Sequence, residues 1–330
     1  MSNPNIQWKR LAEVIRNGQS FLLTGHTRPD CDCLGSELAM AGILESLGKR
    51  VRIVNADPMP ERLAFIDPRR KVETLDRDKP DDAFHGIDTL IVLDTSAWDQ
   101  LGPMADLVRR ASCKKIVIDH HRSSDDLGAE VFKDPEAEAV GRLVADAVGE
   151  LGVTMTAEIA TPLFAAIATD TGWFRFSSTT ADTYRCIAGL IEAGASPPWI
   201  YRELYERQSM ARLLLVGRIL AGAQSDLDGR LVYLTASSDD FVATGANRSD
   251  TEDVINRALE VAGTEVALLF IATENGNTKL SLRSRSNVDC SRLAEQLGGG
   301  GHRAAAGATI DKPLDAARDF VLEVVRDAME

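Results

Sequence analysis

The sequence predicts an α/β protein: a parallel-sheet N-terminal domain joined by a long helical linker to a smaller α+β C-terminal domain. Three observations predict it. Short apolar runs rich in Val, Ile and Leu alternate with helical stretches through the first half of the chain. Three of those runs end in histidine or aspartate. After Ser196-Pro197-Pro198 the pattern changes from strand–helix alternation to hairpin signals.

In order, Ile6 to Arg16 reads as an amphipathic helix and Phe21 to Gly25 as a buried strand. Ser36 to Leu47 reads as a helix stopped by Gly48. Val51 to Asn55, Thr89 to Asp94 and Lys115 to Asp119 are further strands. Such alternation implies a parallel sheet covered on both faces, with ligands at the carboxyl ends of its strands. Helices follow at Ala137 to Leu151, Ala157 to Thr169 and Ala181 to Ala193, and Trp199 to Ala223 reads as one long connecting helix. Beyond it come strands at Arg230 to Ala236 and Glu265 to Thr273, with a helix at Thr251 to Val261 between them. A turn at Asn275-Gly276-Asn277 leads into Lys279 to Ser284. Helices at Asp289 to Leu297 and Asp315 to Met329 flank a glycine run. The expected divisions are 1–195, a helical linker 196–224, and 225–330.

At 330 residues, with 44% hydrophobic and 26% charged residues, the chain can bury two cores. A formal net charge of -13 disfavours a broad basic surface for long duplex nucleic acid but leaves room for a local phosphate pocket. Five cysteines without framework spacing fit a reducing compartment. No apolar run approaches the roughly 20 residues that span a bilayer. The N-terminus lacks a basic region followed by an apolar one. A cytoplasmic protein with no membrane partner is the expectation.

The acids and histidines at the strand ends suit hard cations. Hydrolysing a phosphate ester needs an activated water and neutralised phosphoryl charge, and two divalent ions about 3.5–4 Å apart supply both. The candidates are His26, Asp30, Asp32, Asp94, His120, His121 and Asp170. Carboxylates with imidazoles suit manganese, with magnesium, cobalt and zinc as alternatives.

These residues fall in recognisable strings. Gly25-His26-Thr27-Arg28-Pro29-Asp30-Cys31-Asp32-Cys33-Leu34-Gly35-Ser36 resembles the first motif of DHH phosphoesterases, GHxxPDxDxxGS. Asp94 resembles the second, Asp119-His120-His121 the third, and Thr169-Asp170-Thr171-Gly172 the fourth. The tail Gly298-Gly299-Gly300-Gly301-His302-Arg303-Ala304-Ala305-Ala306-Gly307 resembles the signature of the DHH-associated C-terminal domain. Two-domain chains this short resemble the oligoribonuclease, or nanoRNase, branch. That branch cleaves very short RNAs to mononucleotides, and several members dephosphorylate 3'-phosphoadenosine 5'-phosphate.

The resemblance implies one ion on His26, Asp30 and Asp94 and another on Asp32, Asp94, His120 and Asp170, with Asp94 as bridge. It implies that His121 faces the scissile phosphate and that Asp119 orients the histidines. A metal-bridging hydroxide would attack phosphorus in line, so Asp94, Asp119 and His121 are the expected catalytic residues. The family's usual glycine between the motif-one aspartates is Cys31 here. Cys31 and Cys33 read as small packing residues, the competing reading being a redox-sensitive pair beside the metals.

In the C-terminal domain, Arg283 and Arg285 alternate along one strand face and can grip a terminal phosphate. Gly300 and Gly301 let backbone N–H groups approach an anion, and His302 adds a donor. The resemblance implies that this domain closes over substrate, so that short oligoribonucleotides or a nucleotide bisphosphate fit best. Aromatics are scarce, at 5%, and Trp173, Phe174 and Phe176 read equally as core or stacking platform. The rivals are a cyclic or linear dinucleotide phosphodiesterase and a non-catalytic nucleotide sensor. Pairing into a homodimer stays open.

Overall fold

The computed structural model describes residues 6–329, with His302 described in its backbone alone. The chain falls into two compact units that divide between Arg207 and Gln208.

The first unit is built on a six-stranded parallel sheet. Its strands are β1 (Ser20–Thr24), β2 (Arg50–Asn55), β3 (Val72–Thr74), β4 (Thr89–Leu93), β5 (Lys114–Asp119) and β6 (Glu130–Lys133), in the order β3-β2-β1-β4-β5-β6. Every side chain of β1 and β4 is buried, as expected of largely apolar runs in a doubly covered sheet. Alternate residues serve opposite cores: Phe21, Leu23, Ile91 and Leu93 join one cluster, Leu22, Leu90 and Val92 the other. The sheet order reverses between β1 and β4, and at such a switch point the loops leave a crevice outside the strand carboxyl ends.

Eight helices accompany this sheet: α1 (Trp8–Asn17), α2 (Cys31–Ser46), α3 (Trp98–Leu101), α4 (Met104–Arg110), α5 (Val140–Leu151), α6 (Ala157–Asp170), α7 (Ala181–Glu192) and α8 (Pro197–Tyr205). Helix α2 begins five residues earlier than its apolar pattern suggests. The Asp30 side chain caps it, accepting from the backbone N–H groups of Asp32 and Cys33. Asp32 is therefore held on the first turn of a helix. Gly35 lets α2 lie against α6, since a Cβ there would stand 2.5 Å from the Pro162 carbonyl oxygen.

The second unit carries α9 (Met210–Ala221), β7 (Gln224–Asp226), β8 (Leu231–Ala236), α10 (Ser238–Thr244), α11 (Val254–Leu259), β9 (Val266–Ala272), β10 (Thr278–Ser284), α12 (Cys290–Gln296), β11 (Gly300–His302), β12 (Ala305–Ile310) and α13 (Leu314–Met329). Its sheet runs β11-β12-β10-β9-β8-β7, parallel only between β8 and β9. The expected hairpin at Asn275-Gly276-Asn277 joins β9 to β10, with Gly276 at φ +81.

Three expectations, two of helices and one of the linker, need correction. The single helix over Trp199 to Ala223 is two helices: α8 ends at Tyr205, and Ser209 starts α9 afresh by accepting from the Arg212 N–H. Ile200 of α8 packs in the first unit's core and Leu215 and Ile219 of α9 in the second's, so the linker expected at 196–224 is shared between the units. The helix expected over Thr251 to Val261 is confined to α11, after a 3-10 turn at Arg248–Thr251. The glycine run is partly a strand. Gly300, Gly301 and His302 pair with Gly307, Ala306 and Ala305, and a Cβ on Gly301 would stand 2.5 Å from Ala306 Cα. Glycine there serves close strand packing.

Candidate metal centre

The carboxyl ends of β1, β4 and β5, the first turn of α2 and the last residue of α6 converge on one cluster of acids and histidines. His26 follows β1 and Asp94 follows β4, while Asp119 closes β5. Asp94 sits at φ +61, a left-handed conformation unusual for a residue with a Cβ, and its N–H is tied to the Ile118 carbonyl at 3.1 Å. The turn aims its side chain into the cluster rather than along the sheet.

The two oxygens of Asp94 face different histidines. Oδ2 lies 3.5 Å from His26 Nε2, and Oδ1 lies 3.6 Å from His120 Nε2. His26 Nε2 is also 3.7 Å from Asp30 Oδ1. His120 Nε2 is 3.9 Å from Asp32 Oδ2 and 3.7 Å from Asp170 Oδ2. Both rings are oriented from behind: His26 Nδ1 stands 2.8 Å from the Thr27 carbonyl oxygen and His120 Nδ1 3.0 Å from that of Ala137. With Nδ1 turned to a backbone carbonyl, each Nε2 faces the acids, the arrangement usual for metal-ligating histidines.

Asp32 is almost fully buried and is held by backbone. Its Oδ2 accepts from Val140 N at 2.7 Å and its Oδ1 from Gly141 N at 2.8 Å. A side chain on residue 141 would crowd this contact, since its Cβ would stand 3.3 Å from Asp32 Oδ1.

Asp119 has a different task. Its Oδ1 accepts from the His121 backbone N–H at 3.0 Å and lies 2.9 Å from His121 Nδ1. Its Oδ2 accepts from Ser96 Oγ at 2.5 Å and lies 2.9 Å from Lys133 Nζ. Burial opposes its charge, but the hydrogen bonds of His121, Ser96 and Lys133 win and hold the carboxyl well below the usual range. Of the two motif histidines, Asp119 bonds His121 and not His120. The expectation that it orients both histidines is corrected, because the His120 ring is held by the Ala137 carbonyl.

The remaining acids are crowded. Burial, then the charge of Asp32, pushes Asp94 up to about 7. Burial, then Asp170, pushes Asp32 up to about 7, and burial raises Asp170 to about 6. Burial opposes the charge on His26, yet hydrogen bonds to Asp30 and Asp94 raise it to about 11. Asp94 Oδ1 is buried and makes no hydrogen bond to any described residue. Mutually repelling acids around an orphaned carboxylate oxygen are what bound cations relieve. Among the described residues, side chains spaced to hold an ion form three groups: Asp94, His120 and His121; Asp32, His120 and Asp170; and His26, Cys33 and Asp94. The donor set therefore fits divalent metal.

Several participants carry no motif signal of their own: Ser96, Lys133, Ala137 and Val140 act through backbone groups or ordinary polar side chains. Cys31 and Cys33 are buried, and burial pushes the Cys31 thiol up to about 12, away from the reactive thiolate. Trp173 and Phe174 pack against the core, whereas Phe176 is exposed.

The residues expected to bind substrate lie in the second unit and divide. Arg285 just follows β10, and its guanidinium donates to the Thr264 carbonyl and, at 2.9 Å, to that of Val261. Arg283, half-buried on β10, donates to the Leu282 carbonyl at 3.0 Å. Gly300 and Gly301 lie in the edge strand β11 with the backbone of His302, whose side chain lies outside the described residues.

Comparison with known proteins agrees with this anatomy. The model of the DHH family N-terminal domain matches residues 20–167, and that of the DHHA1 domain matches residues 229–330. A bifunctional oligoribonuclease and PAP phosphatase, NrnA of Thermus thermophilus, is 34% identical, the match covering 98% of this chain and 95% of that protein. The chain belongs to the DHH family. Another DHH relative, the cyclic-di-AMP phosphodiesterase GdpP of Geobacillus thermodenitrificans, is 26% identical over 97% of this chain but 49% of its own length. The fold is also that of a solved exopolyphosphatase-related protein from Bacteroides fragilis. That structure matches with a TM-score of 0.88 and 24% identity, over 97% of this chain and 94% of the other.

Proposed function

We propose that this DHH protein is a metal-dependent phosphoesterase that hydrolyses short oligoribonucleotides to mononucleotides and dephosphorylates 3'-phosphoadenosine 5'-phosphate. The observation that carries the chemistry is Asp94, whose two oxygens are divided between the His26 cluster and the His120 cluster. The named activities of the Thermus relative, matched almost end to end, support the substrate class.

When bound, two divalent ions supply an activated water and neutralise charge on the phosphoryl oxygens. His26, Asp30 and Asp94 would hold one ion; Asp32, Asp94, His120 and Asp170 would hold the other. Carboxylate and imidazole donors suit manganese.

His121 acts on the substrate. Its Nδ1 is committed to Asp119, so Nε2 is the atom free to donate to a phosphoryl or leaving oxygen. The hydrogen bond to Asp119 raises the His121 pKa above its ordinary value, which favours the protonated, donating form. Lys133 and Ser96 keep Asp119 ionised for this task. In the second unit Arg283 is the arginine we assign to a substrate phosphate, and Gly300, Gly301 and His302 are assigned to substrate as well. Arg285 braces the loop before β9 instead.

No helix among the described residues is long and apolar enough to cross a membrane. Five cysteines without framework spacing support a cytoplasmic setting.

The test is manganese-loaded protein assayed on RNA dimers to pentamers, longer RNA, 3'-phosphoadenosine 5'-phosphate, and linear and cyclic dinucleotides. The proposal expects the shortest RNAs and the bisphosphate to be consumed fastest. The GdpP relative favours the dinucleotide reading, which preferential cleavage of cyclic dinucleotides would establish in its place. Tight binding without any hydrolysis would make the chain a sensor.

A further inference from the structure

A buried polar pair beneath the tip of β1 has no part in the chemistry above. Glu37 on α2 and Asn55 at the end of β2 are both fully buried. Asn55 Nδ2 donates to Glu37 Oε2 at 2.8 Å. Asn55 Oδ1 accepts from Gly25 N at 3.1 Å and from Thr24 Oγ1 at 3.4 Å. The pair therefore ties α2 and β2 to the two residues that precede His26. The space leaves little play. A Cβ on Gly25 would stand 2.1 Å from Cys33 Sγ, 3.1 Å from the Leu93 carbonyl oxygen and 3.2 Å from Glu37 Oε1. Leu93 in turn precedes Asp94. A buried carboxyl and amide cost stability unless they bond each other, and an apolar pair would fill such a place without that cost.

We infer that Glu37 and Asn55 are positioning residues for the ion assigned to His26, Asp30 and Asp94, touching neither ion nor substrate. Their hydrogen bonds fix the Thr24–Gly25 backbone against β2, so that His26 Nε2 meets Asp94 Oδ2 at the distance a shared cation needs. The effect is local to that ion. The other would be held by Asp32, His120 and Asp170 together with the shared Asp94, and its own three ligands are supported by Val140, Gly141 and Ala137. The inference rests on the two-ion reading.

The test measures manganese affinity by calorimetry on the full chain in two backgrounds. Asp170→Asn retains the ion on His26, and His26→Ala retains the other. Glu37→Leu is expected to weaken the first about 10-fold, within the range for supports behind a ligand, and the second by less than about 2-fold. Glu37→Gln, whose amide oxygen still accepts from Asn55, restores the first to within about 2-fold of its starting value. Equal weakening of both ions, no weakening of the first, or failure of Gln to rescue overturns the inference. If Glu37→Leu does not fold, Asn55→Ala reads the same split. Loss of fold in both marks a purely structural pair and also overturns it. A wild-type chain that binds fewer than two ions overturns the two-ion reading instead.

Discussion

Asp94, Asp119 and His121 divide the chemistry at the scale of single residues. Asp94→Ala removes the one carboxylate that faces both histidine clusters, and turnover is expected to vanish while the chain stays folded. Asp119→Asn leaves the shape but removes the negative charge that holds His121 and raises its pKa. We expect kcat to fall roughly 100-fold or more with KM little changed, the pattern of a group acting in the transition state. Steady-state kinetics on an RNA dimer checks both. These residues were legible in the sequence because each ends an apolar run and carries metal chemistry. Lys133 and the backbone donors of Val140 and Gly141 were not. A lysine or a peptide N–H has no distinctive pattern, and only the sheet and the α5 start bring them to Asp119 and Asp32.

At the scale of elements, four strands of the parallel sheet were read nearly to the residue, since continuous Val and Ile runs leave few alternatives, whereas β3 and β6 were missed because both are short and partly polar. The helices were less legible where polar caps decide them. Helix α2 begins at Cys31 because Asp30 serves as its cap, and the helix expected over Trp199 to Ala223 breaks because Ser209 caps a second one. Tertiary contact also hides in small residues. Gly35→Ala drives a Cβ to within 2.5 Å of the Pro162 carbonyl and should force α2 from α6, costing about 1–3 kcal/mol in denaturant unfolding. In the second unit the two arginines should separate. Arg283→Ala is expected to raise KM with the unfolding midpoint unchanged. Arg285→Ala, which removes the guanidinium's hydrogen bonds to the carbonyls of Thr264 and Val261, is expected to lower stability with KM little affected.

The whole molecule should report its crowded acids through pH. Asp32 and Asp94 have folded pKa values near 7 and Asp170 near 6, all above their unfolded values, so the folded state binds more protons between about pH 4 and 7. Stability of the metal-free protein should therefore fall as pH rises through that window. His26, His120 and His121, also raised, act in the same direction. Asp119 is lowered, and its contribution is lost only as pH falls below the ordinary carboxylate range. Saturating manganese takes the place of those protons and should flatten or reverse the slope, seen in unfolding midpoints from pH 5 to 8. Electron paramagnetic resonance of a manganese titration tests the central claim, that Asp94 joins two ions, most directly. Two ions per chain with a spin-coupled signal, lost in Asp94→Ala, is the predicted result. One ion per chain, or two that never couple, would contradict it.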